Sequence, residues 1–362
     1  MTQYIFHSDC RYFKGFMPCK PHKDYGVVCN NCDYYDKTTG IILIIKLGAI
    51  GDVIRTTTLL PRIKKEFPDK KIWWLTYSPE VIPKIVDNVF GYNSPSIEIL
   101  KSIDFDLVIN LDKDLEAVAL AKNLKTKELK GFTLQDNVPF YANHQAEHKY
   151  LTGLFDDLNK SNQLSYPEEI YQICGWEFNK EEYILDINLE YEWQINNENK
   201  TIVGLNTGCG ARWVSRLWSD NNWIELIKLI QDNNFFPILL GGKQEDEKNR
   251  YFQTQTNALY LGYFDLDKFI SLVNKCDIVV SAVTMGMHIA IALRKQLILM
   301  NNIFNPKEFE LYGRGEIVMP DKECKCFFSP KCKNPEYFCM DYLSPNTIFN
   351  AILRANKNLK NL

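Results

Sequence analysis

A carboxylate follows two glycines at a point where a short apolar run gives way to a helical pattern. The segment Gly48–Asp52, with the sequence GAIGD, comes directly after the β-branched run Ile41–Lys46. Gly48 and Gly51 permit a tight turn and a close approach of the backbone to a ligand. Asp52 in the first helical turn could act as a catalytic base, or only as an N-cap that interacts favourably with the helix dipole. The residues alone leave both roles open.

Three later strand-to-helix junctions carry residues suited to a nucleoside diphosphate. Backbone amides at a helix start and guanidinium groups bind phosphate, and acids after a glycine turn can hydrogen-bond a ribose or a base. Each junction also has a plainer explanation, such as a solvated loop with surface arginines for the first or a core histidine for the last. Together the three predict a nucleotide-diphosphate pocket. Their candidate residues are Thr207, Gly208, Gly210, Arg212 and Arg216, then Gly242, Glu245, Asp246 and Glu247, and then Thr284, Gly286 and His288.

Eight of the eleven cysteines form two groups of four near the ends of the sequence. In a reducing compartment, clustered cysteines mark metal ligands or catalysis more often than disulfides. The first group ends in Cys-x-x-Cys, a spacing that lets two thiolates reach one tetrahedral ion, and His22 could substitute as a ligand. We therefore predict a structural zinc site there, with iron or an iron–sulfur cluster as the alternative, and buried apolar thiols as the plainer interpretation. The second group has irregular spacers, so disulfides and free thiols stay open beside a second metal site. The groups are Cys10, Cys19, Cys29 and Cys32, and Cys324, Cys326, Cys332 and Cys339.

The composition excludes several classes of protein. The 362 residues are 46% hydrophobic and 24% charged with a net charge of −3, so no basic field invites nucleic acid. No apolar run reaches the roughly 18–20 residues that span a bilayer. The N-terminus also lacks the long apolar region and the cleavage site of a signal peptide. We therefore expect a cytoplasmic protein without a transmembrane segment that does not bind nucleic acid.

Strand-like and helix-like segments alternate twice along the sequence, which is typical of doubly wound parallel sheets. The alternation predicts an α/β protein with two Rossmann-like halves that face a cleft at the carboxyl ends of their strands, where ligands bind in such sheets. The predicted strands are Ile41–Lys46, Ile72–Thr76, Asp106–Asp112, Thr201–Asn206, Phe236–Gly242, Asp277–Ser281 and Gln296–Asn301.

The connections between these strands suggest where the domains begin and end. We predict one helical stretch from the GAIGD loop to about Glu66, and a polar, less regular region over residues 133–198 with an inter-domain linker in Glu190–Lys200. The predicted domains are a Cys-rich metal-binding arm (1–38), an acceptor domain (39–195), a donor domain (196–342) and a C-terminal helix (343–362).

Four segments of the sequence are similar to those of a known enzyme family. The segments IIKLGAIGDVIRTTTLLPRIKKEFPDKKIWWLT, VGLNTGCGARWVSRLWSDNNWIELIKLI, ILLGGKQEDE and LVNKCDIVVSAVTMGMHIAIALRKQLILM occur in this order. In order and spacing, over roughly Ile41 to Met300, they resemble glycosyltransferase family nine, the ADP-heptose heptosyltransferases of lipopolysaccharide biosynthesis. The resemblance implies a GT-B fold in which the N-terminal half binds mainly the acceptor and the C-terminal half binds the nucleotide-sugar.

The resemblance also implies roles for individual residues. Asp52 matches the aspartate that deprotonates the acceptor hydroxyl, and Gly48 and Gly51 belong to the loop that precedes it. The residues that match donor-binding positions are Thr207 and Gly208 in the first loop, Arg216 at the diphosphate, Gly242 and Glu245 at the ribose, Phe264 near the adenine, and Thr284, Gly286 and His288 beside the phosphates.

The sequence departs from the family pattern at three places. Val283 replaces an Asp that helps to hold the donor sugar, and Met285 replaces a Gly. Arg212 lies in a loop that is longer than in the family pattern. The Cys-rich arm lies outside the core pattern, although it resembles additions in subgroups that modify proteins and bind a metal through thiolates.

The function that the resemblance implies is inverting transfer of a heptose from an ADP-sugar to a hydroxyl of a glycan, a glycolipid or a protein. No catalytic metal is expected, and a peripheral contact with the inner membrane is an open expectation. The alternative is a catalytically degenerate GT-B binding module that recruits a partner through its Cys-rich arms. A dinucleotide oxidoreductase is disfavoured because the glycine loop reads G-x-x-G and no acid ends the next strand.

Overall fold

Parallel strands form the first of two sheets in the computed structural model, which describes residues 5–360. The strands are β1 (Gly40–Ile45), β2 (Lys70–Thr76), β3 (Asn88–Gly91), β4 (Asp104–Asn110), β5 (Lys125–Gln135) and β6 (Val138–Tyr141), in the order β3-β2-β1-β4-β5-β6. Only the β5–β6 pair is antiparallel. The four residues from Ile42 to Ile45 have no exposed surface, as expected for a strand covered on both faces.

The second sheet is parallel throughout. It contains β7 (Ile202–Asn206), β8 (Phe236–Leu240), β9 (Ile278–Ala282), β10 (Gln296–Met300) and β11 (Gly315–Val318), in the order β11-β10-β9-β7-β8. The predicted strands of both halves are therefore confirmed to within two residues at each end. Two parallel sheets of this kind match the GT-B architecture that the sequence predicted.

The helices follow the strands in chain order. They are α1 (Lys20–Tyr25), α2 (Ile50–Thr56), α3 (Leu59–Glu66), α4 (Ser94–Lys101), α5 (Leu115–Asn123), α6 (Glu147–Thr152), α7 (Asp156–Ser161), α8 (Tyr166–Ile173), α9 (Asp220–Asp232), α10 (Asp246–Thr256), α11 (Leu266–Asn274), α12 (Met285–Ala292) and α13 (Pro345–Lys360). α9 buries one apolar face, formed by Trp223, Leu226, Ile227 and Ile230. Among residues 5–360, no helix is long and apolar enough to cross a membrane.

The prediction of one helix up to Glu66 is wrong, because the helix stops at three consecutive threonines. The hydroxyls of Thr56 and Thr57 donate to the carbonyls of Asp52 and Ile54, so side chains compete for groups that helical amides would use. Thr58 then bonds outside the helix through its hydroxyl and its carbonyl.

The region 133–198 is more regular than predicted. β5 and β6 form a hairpin whose two turn residues, Asp136 and Asn137, both have positive φ angles, and three helices follow. Residues 174–201 contain no helix or strand, and the predicted linker Glu190–Lys200 lies within them.

Contacts between residues divide the chain into two compact units. The first contains residues up to Leu47, Leu59–Glu147 and Ile173–Gly175, and the second contains Gly48–Thr58, His148–Gln172 and the residues from Trp176 onward. The first sheet lies in the first unit, whereas α2 belongs to the second. The domain boundaries at 38, 195 and 342 stay predictions, and residues 1–4 and 361–362 of the predicted arm and terminal helix lie outside the described residues.

A buried ion pair lies at the carboxyl ends of β1 and β4 in the first unit. The Asp112 carboxylate accepts hydrogen bonds from the Lys46 ammonium and the Leu47 amide, and both charged residues are nearly inaccessible to water. The amide of Asn110 donates to the carbonyls of Asp112 and Phe132. These bonds hold the end of β1 directly before the Gly48–Asp52 loop. Removing one partner of such a pair costs more than the pair contributes, because the other charge stays buried.

Candidate active site

The candidate base Asp52 is the third residue of α2 and pairs with an arginine on the same helix. Ala49 occupies the N-cap position, so the N-cap interpretation of Asp52 is wrong. An Asp52 oxygen lies 2.8 Å from Nη2 of Arg55, and Nη1 of Arg55 donates to Glu308 over 2.7 Å. The Arg55 guanidinium also lies 3.4 Å above the ring of Tyr166. The arginine is thereby held between two carboxylates, and its position restricts that of the Asp52 side chain.

The close approach of α2 to α12 depends on a glycine. A Cβ atom placed on Gly51 would lie 2.5 Å from Cδ2 of His288, which is too short for any real contact. His288 is 6% exposed, and its Nδ1 has no hydrogen-bond partner among the described residues. Burial and, to a lesser extent, the charge of Arg55 lower the pKa of His288 to about 3 against an opposing effect of Asp52. The imidazole is therefore neutral at physiological pH.

The loop between β7 and α9, which we call the first donor loop, carries the buried cation Arg216. Arg216 is 6% exposed and donates from Nη2 to the carbonyl of Cys209 over 2.9 Å, whereas its Nε has no partner among residues 5–360. Among residues 5–360, no carboxylate lies within ion-pair distance of the Arg216 guanidinium. Burial lowers the pKa of Arg216 to about 10, with a small opposing effect from Cys209. The rings of Trp213 and Phe304 lie 5.5 Å from the guanidinium.

The expected helix start near Gly208 is wrong. A 3-10 turn (Val214–Arg216) follows the loop, and α9 begins only at Asp220, where the Ser219 hydroxyl caps it by accepting from the Asn222 amide. Residues 207–213 lack the apolar periodicity that would bury one face of a helix. Gly208 instead packs against Glu245, whose Oε1 would lie 2.0 Å from a Cβ atom at that position.

The second donor loop lies against the first. The other oxygen of Glu245 accepts from the Gly242 amide over 3.0 Å, so one carboxylate contacts both glycine loops. The Thr207 hydroxyl donates to Asn249 over 2.6 Å, and the Thr207 carbonyl accepts from Lys248 over 3.2 Å. Sequence reasoning missed Lys248 and Asn249. Residues three and four positions after Glu245 on a helix lie next to it, and this spacing could have indicated Lys248 and Asn249.

The third donor loop begins α12 and bonds to the end of β7. Thr284 occupies the N-cap position of α12, and its hydroxyl oxygen accepts from Asn206 over 2.9 Å. Asn206 also donates to Ser281 over 2.9 Å, and it lies so close to Gly286 that a Cβ there would be 2.9 Å from its Nδ2. Thr207 and Gly208 of the first loop thus contact the second loop, and Asn206 at the end of β7 contacts the third.

Phe264 has neighbours outside those loops. Its ring lies 5.1 Å from that of Trp193, and Lys268 lies 4.6 Å above it. Its contact with adenine stays a prediction, as do the individual roles of the other candidates.

The N-terminal cysteines surround one cavity. Cys10, Cys19, Cys29 and Cys32 line it together with His7, and all four are free thiols. His22 bonds instead to the Val27 carbonyl over 2.8 Å, so His7 is the histidine that sequence reasoning missed. Arg11 ties the arm to the first unit through Asp36 and Asp87.

The four C-terminal cysteines lie close together inside the second unit. The thiols of Cys326 and Cys332 lie 3.7 Å apart, and the thiol of Cys324 interacts with those of both Cys339 and Cys326. Cys339 belongs to the hydrophobic core of this unit, with Cys324 packed against it. Over residues 5–360, no group of three or more His, Cys, Asp or Glu side chains is already arranged to hold a metal ion.

Comparisons with known proteins identify the architecture. A family model described as glycosyltransferase family 9 (heptosyltransferase) matches residues 97–337. A family 9 glycosyl transferase from Veillonella parvula DSM 2008 shares 15% identity, covering 89% of this chain and 98% of its own, with a TM-score of 0.71. The E. coli ADP-heptose LPS heptosyltransferase II shares 13% identity over 88% and 99%, with a TM-score of 0.62.

A third similar structure contains a metal. The iron-containing dodecameric glycosyltransferase TibC of enterotoxigenic E. coli H10407 shares 10% identity over 90% of this chain and 81% of its own, with a TM-score of 0.56. A search of curated protein sequences found no match. At these identities the structural matches are evidence of the fold.

The buried His288 predicts a specific loss of stability in acid. Its pKa is about 3 in the folded state and near 6.5 when unfolded, so below pH 6.5 the unfolded chain binds a proton that the folded chain excludes. This histidine should lower the free energy of unfolding by about 2 kcal/mol between about pH 7.5 and about pH 5. Urea unfolding at a series of pH values measures it. His288→Asn should remove this part of the pH dependence, whereas His144→Asn, at an exposed position, should retain it. Equal pH dependence in the two variants would contradict the neutral, buried state of His288.

Proposed function

Because the chain belongs to glycosyltransferase family 9, we propose that it transfers a heptose from ADP-heptose to an acceptor hydroxyl with inversion at the anomeric carbon. Family membership makes the protein a glycosyltransferase that uses a nucleotide-sugar. We propose the identity of the donor, the type of acceptor and the stereochemistry of the transfer. The similar E. coli enzyme whose name includes ADP-heptose supports the choice of donor.

The observation that carries the proposal is the buried Arg216 without a carboxylate partner. Burying a charge is costly unless an opposite charge compensates it. Arg216 is bonded to the loop after β7 through the Cys209 carbonyl, and its Nε has no hydrogen-bond partner among the described residues. A diphosphate supplies both the missing charge and acceptors for guanidinium donors. This geometry supports a donor diphosphate at Arg216.

In the proposed reaction, Asp52 takes the proton of the acceptor hydroxyl as its oxygen bonds to the anomeric carbon. The bond from that carbon to the diphosphate oxygen breaks on the opposite face, which inverts the configuration. Arg55 limits the orientations of Asp52, and Glu308 on the other side of the guanidinium shares its charge. Ordering the base in this way contributes to the rate because less freedom is lost in the transition state.

The leaving diphosphate gains negative charge as the bond breaks. In our proposal Arg216 and the amides at the N-terminus of α12, which begins after Thr284, stabilise that charge. No helix start near Gly208 contributes, since α9 begins at Asp220. The proposal assigns no step to a catalytic metal ion.

The proposed acceptor is a hydroxyl of a glycan, a glycolipid or a protein, reached in the cytoplasm. A glycolipid would bring the enzyme into peripheral contact with the inner membrane. The arm supports such a contact because Phe16 is 81% exposed and Met17 is 57% exposed beside Lys14 and Lys20.

We also propose a structural zinc ion in the N-terminal arm, with iron as the alternative. Four free thiols around one cavity are a donor set that zinc prefers. Over residues 5–38, α1 has only six residues and several aromatic side chains are exposed. The arm therefore has little core of its own, and metal binding would supply folding energy.

The C-terminal cysteines support a second metal site. A tetrahedral zinc ion with bonds of about 2.3 Å places its sulfurs roughly 3.8 Å apart. The Cys326–Cys332 separation of 3.7 Å fits that spacing. The amide of Lys333 donates to the Cys326 sulfur over 3.0 Å, a bond that favours a thiolate.

Metal content tests both sites. Purified protein should contain about two metal ions per chain by mass spectrometry, because each site supplies four thiolates. Cys29→Ser/Cys32→Ser and Cys326→Ser/Cys332→Ser should each remove one ion. Protein that contains no metal and binds neither Zn²⁺ nor Fe²⁺ after reduction would contradict this part of the proposal.

Arg216→Ala should weaken the binding of ADP by about 10- to 100-fold, because a charge-assisted hydrogen bond contributes roughly 1.5–3 kcal/mol. Calorimetry with ADP measures the affinity, and GDP and UDP test the choice of nucleotide. Arg212→Ala is the matched control, since Arg212 is exposed and should change the affinity by less than about threefold. Equal effects of the two substitutions would contradict the role of Arg216.

Asp52→Asn should lower transfer from ADP-heptose by about 10²- to 10⁴-fold, which is the usual contribution of a general base. The affinity for ADP should stay within a few-fold, because Asp52 does not lie in a donor loop. Product formation measured by mass spectrometry, with affinity measured by calorimetry, separates the two effects. Undiminished transfer would refute Asp52 as the base. If the wild-type chain binds ADP but transfers no sugar, the alternative of a degenerate binding module is favoured.

A further inference from the structure

The C-terminal cysteine loop, residues 324–339, is bonded to the turn that carries Arg216. The Ser215 amide donates to the carbonyl of Pro330 over 3.1 Å, and the Ser215 hydroxyl donates to the carbonyl of Ser329 over 2.6 Å. Pro330 and Ser329 lie between Cys326 and Cys332 in the sequence. The residue directly before Arg216 is therefore held by the cysteine loop.

Asn302 connects a cysteine to the same turn. It follows β10, and its side-chain amide donates to the Ser215 carbonyl over 2.8 Å and to the Cys339 sulfur over 3.3 Å. An amide NH₂ group has two donors, so both are used. A single side chain thus bridges a cysteine sulfur and the backbone adjacent to Arg216.

These bonds are shielded from water. Ser215 is 2% exposed, Cys339 3%, Ser329 4% and Asn302 7%. A buried donor or acceptor that loses its partner cannot form a hydrogen bond to water instead. The full free-energy cost of an unsatisfied polar group therefore results. Rings from the two segments also pack together, with Trp213 5.6 Å from Phe304 and from Phe328.

The cysteine loop has little regular structure to maintain its shape. It contains no helix or strand before the 3-10 turn that begins at Cys339. Its four thiols are the groups that could fix it, because a bound metal ion restrains every ligand at once. A metal-bound thiolate is also a stationary hydrogen-bond acceptor for Asn302.

We propose that the cysteine loop is part of the donor site, and that Asn302 is a positioning residue that transmits metal binding at Cys339 to Arg216. This inference rests on the proposed function, because it takes Arg216 as the ligand of the donor diphosphate. The metal ion has no contact with the sugar or the phosphates. It acts by fixing the backbone at Ser215, so that the guanidinium is in place before the nucleotide arrives.

The experiment compares the affinity for ADP with and without zinc in two chains. The full-length protein carries Cys29→Ser/Cys32→Ser, so that only the C-terminal loop retains its ligands, and it is compared with the same protein carrying Asn302→Ala. Each is loaded with Zn²⁺, measured by calorimetry with ADP, stripped with a chelator and measured again. Zinc content is determined in both states, and Co²⁺ replacement reports thiolate ligation by its absorption.

With Asn302 present, removing zinc should weaken ADP binding by about tenfold, the effect of one buried hydrogen bond. Asn302→Ala should bind ADP about tenfold more weakly even when loaded, and removing zinc should change its affinity no further. Both proteins should bind one zinc ion at this loop. Asn305→Ala is the matched control, since Asn305 is also a buried amide that donates to two carbonyls, and it should keep the zinc dependence.

Three outcomes would overturn the inference: equal zinc dependence with and without Asn302, an affinity for ADP that does not respond to zinc, or a loop that binds no zinc. A wild-type chain that does not bind ADP would instead contradict the proposed donor. Melting temperatures are measured for Asn302→Ala and Asn305→Ala. If both variants melt at a lower temperature and both lose affinity for ADP, the loss is caused by unfolding and the inference is also overturned.

Discussion

The packing of α2 against α12 is the constraint on which the candidate active site depends. α2 follows a strand of the first sheet, yet its contacts place it in the unit of the second sheet. The approach is close because Gly51 has no side chain where the ring of His288 lies. One turn of α2 therefore sets Asp52 and Arg55 in a fixed relation to the helix that begins at Thr284. The candidate base and a donor loop consequently belong to one packed body.

Two buried arginines in this unit have opposite electrostatic surroundings. Arg55 lies between Asp52 and Glu308 and above the ring of Tyr166, so its charge is compensated within the protein. Arg216 is just as buried, but its partners among the described residues are a carbonyl and two rings. A compensated charge orders neighbouring side chains, whereas an uncompensated one favours an incoming anion. This difference supports our proposal that Arg55 orders the base and that Arg216 binds the diphosphate.

The two cysteine groups both lie near an end of the chain, but their surroundings in the structure differ. The N-terminal group lies in an arm that Arg11 ties to the first unit. The C-terminal group lies within a core, where Cys326 and Cys339 are each 3% exposed, and its loop bonds to the donor turn. The second group is therefore part of the core of the second unit and not of a separate arm. Spacing along the chain carries no information about which segment a loop packs against.

The sequence by itself determined seven of the eleven strands in the described residues and the loops that follow them. Those features depend on apolar periodicity and on glycines over short stretches, which a sequence displays directly. Its resemblance to a family also indicated Asp52 and Arg216 as residues of the site. Only the tertiary structure decided that α2 ends at its threonines, that Arg55 reaches Glu308, that Arg216 has no carboxylate beside it among residues 5–360, and that Asn302 joins Cys339 to Ser215. Each of these depends on which residues distant in the chain become neighbours. That choice is made by packing the whole core, and no local pattern records it.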